Sequence, residues 1–426
     1  MDVAIDRMNI GVFDNGWWEK ACESVSAPGA VFPVARGADG NAYSADIPGR
    51  TAVGQEISRQ PASGSVDFWL DNGGTGLNFT TGPQGPNDLH LAHELAGKIL
   101  VSHIIDPLVT TFQGLPWQAV WQCLHSRTWI KAVWDRAQAA ELERFGIPNV
   151  VHLPMAAANR PYNTDPLEPV TRSTPVSFVG AQNTSFFRAN GGVPTEALLP
   201  GTLAQAVRTD LPDVTFHDIY HDLYALGEPA AQSDDLAART EKANNYFAAK
   251  LFYNASLCIR NRDRFVVFLK RKIGDKFRLI GSRWDTSYGL DCEPPLPTAD
   301  AYFNHFRESA INLNMVNGNA ETGLNMRHFE ITAAGGFMLC QRQPEIEECF
   351  KIGTECDVFD SESELLEKIH YYLAHPKERV QIALAGQQRT LLEHLYSHRL
   401  STVVETVRRF VDKPVEDSAD RTPAPT

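Results

Sequence analysis

The chain has no C-x-x-C pair, no apolar run long enough to cross a bilayer, and no glycine-rich loop ending in Lys-Ser or Lys-Thr. The last absence excludes a P-loop ATPase. The seven cysteines (Cys22, Cys123, Cys258, Cys292, Cys340, Cys349 and Cys356) are odd in number and scattered. That pattern excludes a disulfide frame or a zinc ribbon and predicts free thiols in a reducing compartment. The first residues, MDVAIDRMNIG, carry no signal-peptide pattern; the expectation is a cytoplasmic protein with no membrane span. Positive charge is also scarce. There are 39 Lys and Arg against 52 Asp and Glu, a net charge of -13, which argues against nucleic acid or an anionic membrane as a partner.

What is present is an ordinary globular composition, 43% hydrophobic and 21% charged over 426 residues. That length exceeds one core and predicts two domains. Compact apolar runs end repeatedly at turn residues: NIGVF (9–13) before Asp14-Asn15-Gly16, VDFWLD (66–71) before Asn72-Gly73-Gly74, and KILVSHII (98–105) before Asp106-Pro107. TWIKAVWD (128–135) leads into the amphipathic RAQAAELERFG (136–146), and NVVHL follows at 149–153. Short buried strands divided by helices read as parallel β/α architecture. Eight tryptophans, mostly in this half, read as core.

Residues 159–174 are rich in proline and small polar residues and read as a linker. A second β/α set then opens at VSFVG (176–180), with further strands at 276–281, 309–315, 337–340 and 356–359. Residues 195–270 look mostly helical. The run DSESELLEKIHYYLAHP begins with the capping-box pair Ser361 and Glu364 and lines Leu365, Leu366, Ile369 and Leu373 on one face. The expected organisation is residues 1–158 as one doubly wound domain and 175–396 as a second. A terminal helix over 397–412 would cross back, and a disordered tail would occupy 413–426. In such sheets ligands sit beyond the carboxyl ends of the strands, here in the cleft between the domains.

One stretch concentrates chemistry: ETGLNMRHFEITAAGG, Glu321 to Gly336. Gly323 lets backbone approach a ligand, and Asn325 can cap a helix whose first N–H groups, with Leu324 between, suit a phosphate. Arg327 adds a forked cation, and Glu330 lies on the same face one turn on, placed to accept two ribose hydroxyls. The combination suits a nucleoside diphosphate. Its plain alternative is a surface Arg-Glu pair on a helix stopped by Gly335-Gly336.

The run from Ile311 to Gly386 resembles the carboxyl-terminal domain of CgeB-like (spore-protein type) glycosyltransferases. The resemblance rests on the G-L-N-x-R-x-F-E helix, the glycine stop, the acidic P-E-I-E-E-C-F segment and D-S-E-S-E-L-L-E-K-I. It covers residues 300–400 well and, more loosely, VSFVG with Arg188 and DRAQAAELERFGIPNVVHLPMA. It implies the GT-B fold, two Rossmann-like domains facing across a cleft. It also implies metal-independent transfer of a sugar from a nucleotide-diphosphate donor, with no cofactor. The acceptor, whether glycan, protein or small molecule, is named by no motif. Glu330 falls on the second glutamate of the family's E-x7-E-like motif, while Glu321 stands one residue out of register for the first.

The donor-side candidates are therefore Gly180, Arg283, Gly323, Leu324, Asn325, Arg327 and Glu330. Lys270, Arg271 and Lys272 also qualify, although a solvated helix end describes them better. An inverting transferase needs a general base, for which Asp106, His103, Asp71 and Asp14 stand at strand ends of the first domain. Each of these also reads as a turn, cap or packing residue. HDIYHD (217–222) lacks the glutamate of a zincin helix and reads as a solvated face, so no metal site is expected. The rival readings are a non-catalytic nucleotide-sugar-binding or assembly protein on the same scaffold, and a sugar-nucleotide epimerase.

Overall fold

The computed structural model describes residues 8–13, 16–37, 47–60, 64–81, 89–107, 121, 123–165, 174–182, 211, 214–219, 246–247, 249–250, 253–254, 259–316 and 318–412. The readings made for Asp14, Trp117, Arg188, His221, Asp222, the 413–426 tail, part of the linker and most of 195–270 lie outside the described residues.

The strands are β1 (Ile10–Phe13), β2 (Gly29–Phe32), β3 (Phe68–Asn72), β4 (Phe79–Thr81), β5 (Leu89–Leu91), β6 (Ile99–Ile104), β7 (Trp129–Val133), β8 (Val150–His152), β9 (Thr174–Val179), β10 (Phe277–Ile280), β11 (Ser309–Asn314), β12 (Met338–Gln341) and β13 (Asp357–Phe359). They form a six-stranded sheet in the order β2-β1-β3-β6-β7-β8 and a five-stranded sheet in the order β10-β9-β11-β12-β13. Every pairing within both is parallel. Only the small β4–β5 pair is antiparallel among the described strands. Parallel sheets are covered on both faces, which is why β1, β3, β7 and β11 are buried along their whole length. These are two Rossmann-like domains in the GT-B arrangement.

The helices that matter below are α1 (Trp17–Ser24), α2 (Arg136–Arg144), α3 (Arg264–Ile273), α4 (Trp284–Tyr288), α5 (Ala299–Glu308), α6 (Met326–Ala333), α7 (Glu362–Ala374), α8 (Pro376–Glu393) and α9 (Tyr396–Asp412). α2 starts where Asp135 accepts from Gln138 N–H at 3.0 Å and stops before Gly146, whose φ is 71°. That is a left-handed C-terminal cap, which glycine adopts without steric cost. At α7, Ser361 accepts from Glu364 N–H at 3.2 Å, but the reciprocal bond differs from a standard capping box. Glu364 reaches Asp360 N–H at 2.8 Å, one residue before the cap.

α9 crosses back onto the first domain. Tyr396 stacks on Trp17 (ring centres 5.5 Å apart) and meets Trp18 edge-on (4.9 Å). Leu400, Val403, Val404 and Val407 join the cluster under the first sheet. A separate cluster spans the junction, bringing Trp134, Met155 and Ala157 together with Leu324, Phe329 and Phe350. Carboxyl ends of the two sheets thus meet at one place. Among the described residues no helix is long and apolar enough to cross a membrane.

Candidate functional site

The site grows from the end of β11. The chain leaves that strand, turns through 321–323 and enters α6. Asn325 occupies the N-cap position with extended backbone, but its side chain makes no capping bond. Its Oδ1 instead accepts from Asn314 Nδ2 at 3.1 Å and lies 3.0 Å from His328 Nδ1. The expected cap is therefore corrected: Asn325 ties the helix start to β11.

One turn further, Arg327 and Glu330 form the expected pair, with Nε 3.4 Å from Oε2. Neither is a loose surface group. Arg327 Nη1 donates to the Val179 carbonyl, the last of β9, at 2.9 Å, and its guanidinium lies 4.7 Å from the centre of the Tyr302 ring. Glu330 accepts from the Tyr302 hydroxyl at 2.7 Å, and only 12% of its side chain is exposed. A cation is thus held at the carboxyl end of a central strand, beside an oriented carboxylate.

The turn before the helix is not open. The N–H groups of Glu321, Thr322 and Gly323 all donate to Asp135 Oδ2, at 2.7, 2.9 and 2.9 Å. The Gly323 amide expected to cradle a phosphate is filled by a carboxylate from the first domain. A Cβ at Gly323 would lie 3.0 Å from Asp135 Cα and 3.2 Å from the Trp134 carbonyl. The glycine is needed for domain contact. Leu324 is 3% exposed and packs in the junction core. Glu321 turns away, its Oε2 accepting from Phe216 N–H at 3.2 Å while Oε1 lies 4.0 Å from Lys250 Nζ.

Gly180 is likewise bound into structure. Its N–H donates to the Ile280 carbonyl at 2.9 Å, and its carbonyl accepts the Trp284 indole N–H at 2.7 Å. Arg283 is exposed at the start of α4 with φ 69°, a left-handed conformation unusual for a side-chain-bearing residue. Arg271 and Lys272 are exposed at the end of α3, and Lys270 Nζ reaches only the Phe277 carbonyl, at 3.4 Å.

The three first-domain candidates separate. Asp71 is fully buried and accepts from Gly74 N–H (3.2 Å) and Gly76 N–H (2.5 Å). It shapes its own turn, and burial raises its pKa to about 7. His103 is fully buried, its Nε2 bonded to the Leu153 carbonyl (2.9 Å), with Trp18 and Tyr396 edge-on. Burial pushes its pKa down to about 3, so it packs as a neutral ring and is not presented to an acceptor. Asp106 alone of the three reaches the junction, accepting from Asn319 Nδ2 of the second domain at 2.9 Å. Burial raises its pKa to about 6. No group of three or more His, Cys, Asp or Glu suited to a metal ion occurs among the described residues.

Sequence reasoning missed Arg262, Tyr302 and Asp135. Arg262 lies in a π-helical turn, Ile259–Asp263, that opens α3; such turns recur at functional sites. Its neighbour Asn261 donates to the Val316 carbonyl (3.2 Å) and to Gln341 Oε1 (2.8 Å), which sets the turn over the carboxyl ends of β11 and β12. Arg262 is 7% exposed, its Nε lies 3.5 Å from Asp263 Oδ1, and its buried Nη2 has no hydrogen-bond partner. The signal was NRDR in the sequence, upstream of the basic run that drew attention.

Residues 260–405, about a third of the chain, match a protein family described as glycosyl transferase-like. No curated protein matches the chain. Among solved structures it is similar to a sucrose-phosphate synthase from Thermosynechococcus elongatus, at 9% identity over 95% of this chain and 99% of that one, TM-score 0.47. A glycosyltransferase from Rickettsia africae ESF-5 matches at 10% identity over 96% and 100%, TM-score 0.46. An α,α-trehalose-phosphate synthase (UDP-forming) from Burkholderia vietnamiensis matches at 9% over 94% and 100%, TM-score 0.46.

Proposed function

We propose that the protein is a glycosyltransferase of CgeB-like kind, transferring a sugar from a nucleotide-diphosphate donor to an acceptor held by the first domain. The observation that carries the reading is the Arg327–Glu330 pair, fixed by Val179 and Tyr302 at the carboxyl end of β9, inside the segment that matches the glycosyl transferase-like family. In this reading Glu330 takes the ribose hydroxyls. Arg327 and Arg262 meet the charge that develops on the diphosphate as the glycosidic bond breaks. Preorganised cations do this without solvent reorganisation, so the reading assigns the leaving group no metal. In this reading Asp106 takes a proton from the acceptor hydroxyl if the reaction inverts, supported by its position at the junction and its raised pKa.

The test is calorimetric titration with UDP, GDP and ADP, repeated on Glu330→Ala and Arg327→Ala. Binding by the parent that drops about tenfold or more in both variants supports the assignment. No binding by the parent, or unchanged binding by both variants, removes it. Burial of Glu321 against Phe216 and Lys250 favours a second reading, a nucleotide-sugar-binding protein without transfer. Release of free sugar or glycoside from a bound donor by the purified protein would exclude that reading.

A further inference from the structure

The filled turn at 321–323 has a meaning of its own. Three successive N–H groups converging on one point form an anion seat. In this protein the anion is a side chain of the opposite domain, fully buried at 0% exposure. Asp135 uses both oxygens: Oδ2 takes the three N–H groups of the second domain, and Oδ1 takes Gln138 N–H at 3.0 Å and lies 3.2 Å from Thr322 Oγ1. One carboxylate therefore caps α2 and plugs the facing loop.

The reciprocal contact comes from the second domain. Glu345 Oε1 accepts from Arg136 N–H at 2.9 Å, at the first turn of α2, and from Thr322 Oγ1 at 2.6 Å. Its Oε2 lies 3.1 Å from His152 Nε2. Gln138 Nε2 donates to the Asn319 carbonyl at 2.6 Å. Each domain thus offers a carboxylate to N–H groups of the other that no helix bond uses, at the start of α2 and at the turn that leads into α6.

We propose that Asp135 is a clasp between the two domains: its carboxylate, seated on the 321–323 N–H groups, holds the two sides of the cleft together at their junction. The consequence reaches the site. Gly323 is three residues before Met326, the first of α6, so release of the clasp frees the segment that carries Arg327 to move relative to the first domain. A ligand entering between the sheets meets a junction that is already tied, and opening requires Asp135 to withdraw. The clasp does not depend on sugar transfer, because its bonds run from one domain to the other.

The decisive variant is Asp135→Ser. Serine retains a cap acceptor for Gln138 N–H but is too short to reach three N–H groups of the facing loop. Site-resolved amide hydrogen exchange and small-angle scattering are measured on the full chain without ligand. The clasp predicts exchange roughly tenfold or more faster at 321–323, a larger radius of gyration, and unchanged protection in the middle of α2. Unchanged exchange at 321–323 overturns it. So does faster exchange there with an unchanged radius, which would make the contact a loop tie only. Should the serine variant not fold, Asp135→Asn keeps the shape and one acceptor while removing the charge, and the same two readouts decide.

Discussion

The Tyr302 hydroxyl donates to Glu330 Oε2 at 2.7 Å, from α5 to α6. This bond aims the carboxylate that the proposed reading gives to a ribose. Burial and the adjacent carboxylate hold the phenol well above its ordinary pKa, so it remains a donor throughout the working range. Tyr302→Phe removes that donor and keeps the ring under Arg327. Nucleoside diphosphate affinity is expected to fall about tenfold or more, on the order of 1.5–3 kcal/mol for a hydrogen bond to a charged group. Titration calorimetry reads it; an affinity equal to the parent would show that the phenol does not aim Glu330.

Arg262 gives a prediction in which binding and stability separate. A buried guanidinium with an unpartnered Nη2 and one acidic neighbour at 3.5 Å is incompletely compensated, and such a group is weak evidence for stability. Arg262→Met combined with Asp263→Asn removes both charges of the pair while keeping an acceptor for Gln182 and Tyr288, and should leave urea stability within about 1 kcal/mol of the parent. Diphosphate affinity should fall about tenfold or more, the usual worth of a charge-assisted contact. A large loss of stability with intact binding would assign the residue to the scaffold instead.

The two-sheet architecture was legible because it depends on local signals. Apolar runs bounded by Gly, Asn, Asp and Pro located β1, β3, β6 to β9 and β10 to β13, and Gly146 marked the end of α2. β2 escaped because GAVF is short and exposed at an edge. The pair Arg327 and Glu330 was legible because helical spacing alone brings them together. In the sequence Asp135 reads only as the end of the 128–135 run; its partners in the facing loop lie 186 to 188 positions away, and no local pattern encodes that distance. His103 and Asp71, read both as candidate bases and as turn or packing residues, take the latter role for a reason of the same kind. Strand ends locate a residue, while Leu153, Tyr396 and Gly76 decide whether it faces the cleft.

Acid should expose the buried histidines. His93 and His103 are both 0% exposed, and burial lowers each pKa to about 3. In the unfolded chain they titrate near 6.5. Their neutral burial therefore supports the fold fully above that pH, and the support is lost as pH falls from about 6.5 towards 3. Asp71 acts in the opposite sense, since its raised pKa favours the folded state as pH falls through about 7. The parent's net slope is thus a contest, and a variant isolates one side. His93→Phe should lose about 2 kcal/mol less stability than the parent between pH 7 and pH 5, at about 1.4 kcal/mol per pH unit below 6.5. Urea unfolding at the two pH values measures it, and equal losses would contradict neutral burial of His93.

Two glycines at neighbouring strand ends should respond differently to alanine. At Gly180 an added Cβ meets only the Phe178 ring, the nearest atom 2.9 Å away, and a ring can rotate or shift. At Gly281 the same atom would sit 2.2 Å from the Gly180 carbonyl oxygen and 2.7 Å from its carbon, at φ 155°. Backbone cannot yield there without breaking the bonds that tie the ends of β9 and β10, from Gly180 N–H to Ile280 and from Gln182 N–H to Ser282, at 2.9 and 3.0 Å. Gly180→Ala is expected to cost about 1 kcal/mol or less, whereas Gly281→Ala should cost about 3 kcal/mol or more, combining a disfavoured conformation with overpacking. The Gly281 variant should also weaken nucleotide binding, because the Trp284 indole that bonds Gly180 lies beside Arg262. Denaturant midpoints of the two variants, measured side by side, test the ranking; equal midpoints would mean that the Gly281 turn rearranges freely and that the β9–β10 end is not the rigid floor on which this prediction rests.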